Sequence, residues 1–192
     1  MTYPKKLQEA FGKQPVFTLA DVRRLLPKAS AGYARLLLHN LLKAGKIFRI
    51  SRGIYSFHDE ALVAGFAFRP FYYGCQDALS LHGLWEQETN PVVITARKVR
   101  AGMRKFAGGN YVVRRIERRM FFGYEMMKCA GWWVPVSDVE KTLIDMVHFR
   151  QHVGEELGAE FESRIERKKM RGYLKRCPDR VARKVGEIIA KR

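Results

Sequence analysis

The stretch "KAGKIFRISRGIYSF", Lys43 to Phe57, carries the organisation of the first third of the chain. Gly45 ends an apolar run of helical spacing, and the residues after it alternate in the manner of a strand. Arg52-Gly53 reads as a two-residue hairpin turn, because Gly53 supplies the positive φ such turns require. That turn pairs Ser51 with Ile54, Ile50 with Tyr55, Arg49 with Ser56 and Phe48 with Phe57. Side chains alternate along a strand, so Phe48, Ile50, Tyr55 and Phe57 are expected on one face. Arg49, Ser51 and Ser56 fall on the other, with Arg52 at the tip. One face suits a core and the tip suits an anion. An amphipathic hairpin is also compatible with no binding role at all, so the residues before it decide.

Working upstream, "AGYARLLLHNLLKA" follows Ser30, a serine in N-cap position. At 100° per residue, Ala34, Leu37, Leu38, Leu41 and Ala44 gather on one side of this helix. Arg35, Leu36, His39, Asn40 and Lys43 gather on the other, which holds no acid. Before it, "FTLADVRRLLP" opens with Thr18 and Asp21 as an acidic capping box, and Pro27 marks its stop. "PKKLQEAFG" reads as a still earlier helix with Leu7, Ala10 and Phe11 turned inward.

Three helices followed by a basic-tipped hairpin is the order of a winged helix-turn-helix, expected over residues 1–58. In that arrangement the third helix enters the major groove of duplex DNA. Arg35 suits guanine and Asn40 suits adenine, while His39 can serve bases or phosphates. Ser30, Leu36 and Lys43 complete the expected recognition surface, and Arg49, Ser51 and Arg52 form the expected wing contact. The alternative is a winged helix used for protein contacts.

Charge favours nucleic acid. The 192 residues hold 36 Lys and Arg against 19 Asp and Glu, a net +17. Residues 1–57 alone hold 11 basic and 2 acidic groups, whereas residues 58–153 hold 13 and 10. Such asymmetry points to a polyanion partner. The longest apolar run, Ala61 to Phe68, is too short to cross a bilayer, and no secretory signal opens the chain. Three widely spaced cysteines, Cys75, Cys129 and Cys177, suit a reducing compartment. A cytoplasmic protein with no membrane partner is expected.

After Asp59 and Glu60 the charge balances and aromatics multiply. Residues 59–192 are expected to form a mixed α/β domain, which makes the fold class α+β. "RPFYYGCQDALSLHGLWEQ" suggests a strand, then a helix from Gln76 to His82 ended by Gly83. "PVVITAR", "GNYVVRRI", "RRMFFGYEMM" and "GWWVPV" read as strands, and "RAGMRKFAGGNY" as a loop between strands. In "SDVEKTLIDMVHF", Ser137 and Glu140 form the expected capping box of an amphipathic helix. The tail, about residues 154–192, reads as basic helices broken at Pro178.

At this point the chain resembles the AbiEi-type antitoxins of abortive-infection toxin–antitoxin systems. The resemblance rests on "FTLADVRRLL", "LLHNLLKAGKIFRISRGIYSF", "CQDALSLHGLWEQ" with "PVVITAR", and "VPVSDVEKTLIDM", in that order over roughly residues 15–150. It implies a transcriptional regulator that binds inverted repeats in its own promoter through the N-terminal domain. It also implies a C-terminal domain that counteracts a separately encoded nucleotidyltransferase-like toxin.

The residues show no catalytic pattern, and neither enzyme activity nor a cofactor is expected. "RAGMRKFAGGNY" lacks the spacing of a phosphate-binding loop. Cys75 and His82 have no second ligand pair for a metal. Asp77 and His82 could do acid–base work, but they also sit where a helix dipole favours an acid and a base. Glu140, Lys141 and Asp145 read as a cap and an i,i+4 pair, and Glu166–Lys168 as solvated surface. Two other classes stay open: a nuclease with a winged-helix targeting domain, and an RNA-binding protein. Exposed aromatics on the strands of residues 111–133 would favour the RNA reading.

Overall fold

The computed structural model describes residues 2–84 and 90–190 of the 192. The chain is of mixed α and β structure and divides into two compact units. One comprises residues 1–69 with 104–111, the other residues 70–103 with 112–192.

The first unit runs α1 (Tyr3–Phe11), β1 (Phe17–Thr18), α2 (Leu19–Leu25), α3 (Ala31–Lys43), β2 (Phe48–Ser51) and β3 (Ile54–Ser56). The three strands form one sheet in the order β1-β3-β2, with both pairings antiparallel. The expected local signals set the helix starts. Thr18 accepts from the Asp21 amide at 3.2 Å, and the Asp21 carboxylate accepts from the Thr18 amide at 2.8 Å. Ser30 caps α3 by accepting from the Tyr33 amide at 3.1 Å. Gly45, at φ +64°, stops it, and the Lys46 amide returns to the Leu41 carbonyl. Leu7, Phe11, Phe17, Val22, Ala34, Leu37, Leu38, Leu41 and Ile47 make the core. Ala10 is half-buried and Ala44 is exposed, so the inward face of α3 ends one turn earlier than the pattern predicts.

The hairpin turns at Arg52-Gly53 as expected, with Gly53 at φ +77°. Its register differs from the straight ladder. Ser51 faces Ile54, but Arg49 faces Tyr55 and Phe48 faces Ser56, leaving Ile50 as the extra residue of a bulge. Ile50 therefore turns into the core at 7% exposure, while Phe48 is only half-buried against the Phe106 ring. Ser56, expected outside, is buried. Its hydroxyl donates to the Pro15 carbonyl at 2.8 Å and accepts from the His58 amide at 2.9 Å, which satisfies it there. Residues Ala61–Phe68 follow in this unit as an apolar 3-10 segment.

The second unit carries most of a mixed sheet, of which residues 104–111 belong to the first unit. Its strands are β4 (Phe71–Tyr73), β5 (Val92–Thr95), β6 (Gly102–Phe106), β7 (Gly109–Arg115), β8 (Tyr124–Cys129) and β9 (Trp132–Ser137), in the order β6-β7-β5-β4-β9-β8. β4–β9 and β5–β7 are parallel, and β4–β5 and β8–β9 antiparallel. Every residue of β4 and β5 is buried, as expected of central strands covered on both faces. The helices are α4 (Cys75–Leu81), α5 (Val139–His148), α6 (Glu155–Arg164), α7 (Arg167–Leu174) and α8 (Asp179–Ile189), the last beginning after Pro178. Trp85, Glu86 and Gln87 of the "CQDALSLHGLWEQ" motif lie outside the described residues.

Three expectations are corrected here. Residues 102–106, read as loop, form β6. Arg118–Met120, read as strand, make a 3-10 turn, and β8 begins only after Gly123. Gly123 has φ +70°, and a Cβ there would lie 2.9 Å from both Lys141 and the Tyr173 ring, so the chain must turn on glycine. Finally, Asp138 rather than Ser137 caps α5, accepting from the Lys141 amide at 2.8 Å. Ser137 is the last residue of β9 and its hydroxyl is engaged with Thr142.

The core of this unit gathers β4, β5, α4, α5 and the tail helices. Inside it, Lys141 and Asp145 form a fully buried ion pair, and Tyr72 donates to Asp145 at 2.9 Å. Lys141 also donates to the Tyr72 hydroxyl. Glu140, read as a cap residue, instead accepts from the Glu166 amide at 2.8 Å and from Lys169 at 2.9 Å. Lys169 reaches Asp138 as well, at 3.2 Å, so one cation of α7 ties the tail onto the start of α5.

Candidate nucleic-acid interface

α3 buries Ala34, Leu37, Leu38 and Leu41, and this fixes which side it shows to solvent. Arg35, Leu36, His39, Asn40 and Lys43 are all exposed. They occupy consecutive turns of a 13-residue helix, so their side chains cover one continuous strip. Among the described residues, no ion pair holds Arg35 or Lys43. Their charge is available to a ligand rather than spent on a neighbouring acid. Leu36, 54% exposed between Arg35 and His39, adds an apolar contact to an otherwise polar strip. Ser30 lies exposed at the N-terminus of α3, where its hydroxyl is engaged as the cap.

On the hairpin, Arg52 is exposed at the turn and carries no ion pair among the described residues. Arg49 is exposed on β2, and its Nε donates to the Ser51 carbonyl at 3.4 Å, which holds the guanidinium along the strand. Ser51 is half-buried next to the bulge and presents less surface than Arg49 or Arg52. By contrast Arg24, on α2, is paired with Asp21 at 3.5 Å. The sequence reading passed over two residues here. Lys28 stands exposed in the turn before α3, and Tyr33 is 41% exposed with its ring edge-on to Tyr3. An aromatic in the first turn of a polar helix face was the available signal for Tyr33.

The residues weighed for catalysis are placed differently. Asp77 is buried on α4 with Oδ2 unpartnered, and burial pushes its carboxyl up to about 7, a hydrogen bond from the Val92 backbone offsetting part of that. His82 Nε2 sits 2.7 Å from the Ser137 carbonyl, so that ring nitrogen is occupied by backbone. Burial also raises the Cys75 thiol well above its ordinary value, the opposite of a reactive cysteine. Glu166, Arg167 and Lys168 are exposed. No group of three metal-ligating side chains occurs among the described residues. No described helix is long and apolar enough to cross a membrane.

The chain's fold is similar to that of the RV2827C protein from Mycobacterium tuberculosis, known from a crystal structure. The likeness has a TM-score of 0.68 and covers 99% of this chain and 77% of that one, at 11% sequence identity. At that identity it speaks for the fold alone. No curated protein sequence matches the chain. A family model does match, over a stretch that begins within α1 and runs through β3, and so holds the whole exposed strip and hairpin tip. Residues 5–58 match the family described as "Transcriptional regulator, AbiEi antitoxin".

Proposed function

We propose that this chain is a DNA-binding transcriptional regulator whose first unit acts as a winged helix-turn-helix. α3 is the recognition helix in this reading and the β2–β3 hairpin is the wing. The observation that carries it is the acid-free exposed strip of α3, where Arg35 and Lys43 have no acidic partner among the described residues. The match of residues 5–58 to the AbiEi antitoxin regulators supports it. In the same reading the protein binds inverted repeats in its own promoter and represses its operon. It counteracts a nucleotidyltransferase-like toxin encoded beside it. It works by binding and performs no catalysis.

The test is fluorescence anisotropy on the full chain, with labelled upstream DNA of its own gene and a random duplex of equal length. Arg35→Ala or Asn40→Ala is expected to lose about 1–3 kcal/mol on the cognate duplex and less on the random one. Equal losses on both would remove these side chains from base recognition.

One observation favours a second reading, binding of RNA. Trp133 is 62% exposed on β9, and Tyr124 and Met126 are exposed further along the paired strand β8, where Lys128 faces Trp133. Tyr124 is, however, stacked on Tyr72 at 5.3 Å, which leaves Trp133 as the aromatic of this strip without a ring partner among the described residues. One ring is a thin platform for unpaired bases. Preference for single-stranded RNA over duplex DNA in the same assay would reverse the order of the two readings.

A further inference from the structure

We propose that Leu36 reads the C5-methyl group of a thymine in the major groove, so that an A·T pair is part of the recognised sequence. This rests on α3 being the recognition helix, and it names a base which the centre of that helix requires. At 100° per residue, Gly32, Leu36 and Lys43 lie within about 40° of one another. Their line runs opposite the buried Ala34, Leu37, Leu38 and Leu41. It is the crest of α3, the part that the floor of a groove meets first. A recognition helix touches base edges mainly through its N-terminal residues. Gly32 and Leu36 are therefore the crest residues at the bases, with Lys43 in the last turn.

Neither residue serves the packing of the first unit. Leu36 is 54% exposed and stands outside the core that its neighbours Leu37 and Leu38 join. A Cβ at Gly32 would meet nothing nearer than the Ser30 hydroxyl at 3.9 Å, so no steric need explains a residue that weakens a helix. Its missing side chain lets the first turn approach a base edge closely. Tyr33, one turn before Leu36, is 41% exposed, and its ring stands edge-on to the exposed Tyr3 at 5.4 Å. A single exposed leucine needs no explanation. Leu36 with Tyr33 and Tyr3, however, makes an apolar patch at the start of an otherwise polar strip.

The chemistry of the groove selects the base. Major-groove edges present hydrogen-bond donors and acceptors, and thymine adds the one apolar group, its C5-methyl. A leucine pressed onto a G·C pair would take water from the guanine acceptors and the cytosine amino group and return no hydrogen bond. Over a thymine it covers a methyl group and leaves nothing unpaired. Asn40 points to the same pair. It follows Leu36 by one turn on the same exposed side, and its amide matches adenine, whose partner is thymine. 5-Methylcytosine offers the same methyl group, but its partner is guanine, which Asn40 does not match. Thymine is therefore the source of the methyl.

The experiment measures binding of the full chain to DNA from upstream of its own gene. The duplex is made in its natural form, with deoxyuridine for every thymidine, and with 5-methylcytosine for every cytosine. The uracil form lacks only the methyl groups. The parent protein should bind it at least about fourfold more weakly than the natural form, the worth of about one buried methyl group. Leu36→Ala should bind the two forms alike and keep the parent melting midpoint, because Leu36 packs in no core. The 5-methylcytosine form should bring no gain. Arg35→Ala should weaken binding to the natural and uracil forms by one factor and keep the thymine preference. If α3 lies outside the groove, Arg35→Ala and Asn40→Ala will lose equally on upstream and random DNA. If α3 lies in the groove with Leu36 away from a methyl, those variants will lose more on upstream DNA while the parent binds the uracil form like the natural one. Either result overturns the role given to Leu36, and the second leaves the role of α3 standing. So does a thymine preference that persists in Leu36→Ala, a lowered melting midpoint of that variant, or tighter binding to the 5-methylcytosine form.

Discussion

Arg52 and Ile50 lie two residues apart on the hairpin and should separate binding from folding. Arg52 is exposed, so Arg52→Ala should leave stability within about 0.5 kcal/mol, as surface changes usually do. Ile50 is buried by the bulge, so Ile50→Ala should cost about 2–5 kcal/mol. Phe48→Ala should cost less than Ile50→Ala, because the Phe48 ring is only half-buried. Denaturant melts that rank Phe48 above Ile50 would favour the straight register over the bulged one. Asp77 gives a residue-level pH effect in the second unit. Burial lifts its carboxyl from an ordinary value near 3.8 to about 7, so the folded chain holds a proton there that the unfolded chain releases. The stabilisation is complete below about pH 4 and is lost as the pH rises towards 7, with a limiting slope of about 1.4 kcal/mol per pH unit. Asp77→Asn should flatten that dependence, and a parent melt flat between pH 4 and 7 would contradict the burial of this carboxylate.

At the scale of elements, several interactions converge on the start of α5. Asp138 caps the helix through the Lys141 amide, accepts from the Tyr173 hydroxyl and pairs with Lys169. A cap alone is worth about 1 kcal/mol, and a hydrogen bond with a charged partner about 1.5–3 kcal/mol. Asp138→Ala should therefore cost about 2–4 kcal/mol, clearly more than Ser137→Ala. Asp138→Asn, which keeps the cap but loses the charge, should fall between. If Ser137→Ala were the costlier change, the cap would belong to Ser137. The same logic holds for α7. Lys169 anchors it through Asp138 and Glu140.

Across the whole molecule the charge is uneven, +9 over residues 1–57 out of a total of +17. Arg35, Lys43, Arg49 and Arg52 stand exposed in the first unit. If each neutralises one phosphate, duplex affinity should fall with salt at a slope of at least about 3.6. Titration of the full chain on random DNA measures this. A slope near zero would mean that the basic excess serves solubility and not binding.

Local rules were enough where a helix starts or stops within a few residues of its own signal. Thr18 with Asp21, Ser30, Gly45, Gly53 and Pro178 all act over one turn, so the order of helices and the hairpin turn were legible from residue types. The exposed side of α3 was legible too, because 3.6-residue periodicity separates Ala34, Leu37, Leu38 and Leu41 from Arg35, His39 and Asn40 without reference to any neighbour. Non-local partners decided the rest. Ser56 is buried because Pro15, 41 residues away, accepts its hydroxyl, and Ile50 bulges inward in a ladder whose register spacing does not encode. The Lys141–Asp145 pair looks like any i,i+4 pair on a helix; in the fold it is fully buried and bonded to the Tyr72 hydroxyl, 69 residues earlier. Arg167 and Lys169 look like any cations of a basic run until Glu162, Asp138 and Glu140 are seen to pair with them. A charge in the sequence shows its sign, but only the folded surroundings show whether that charge is already neutralised.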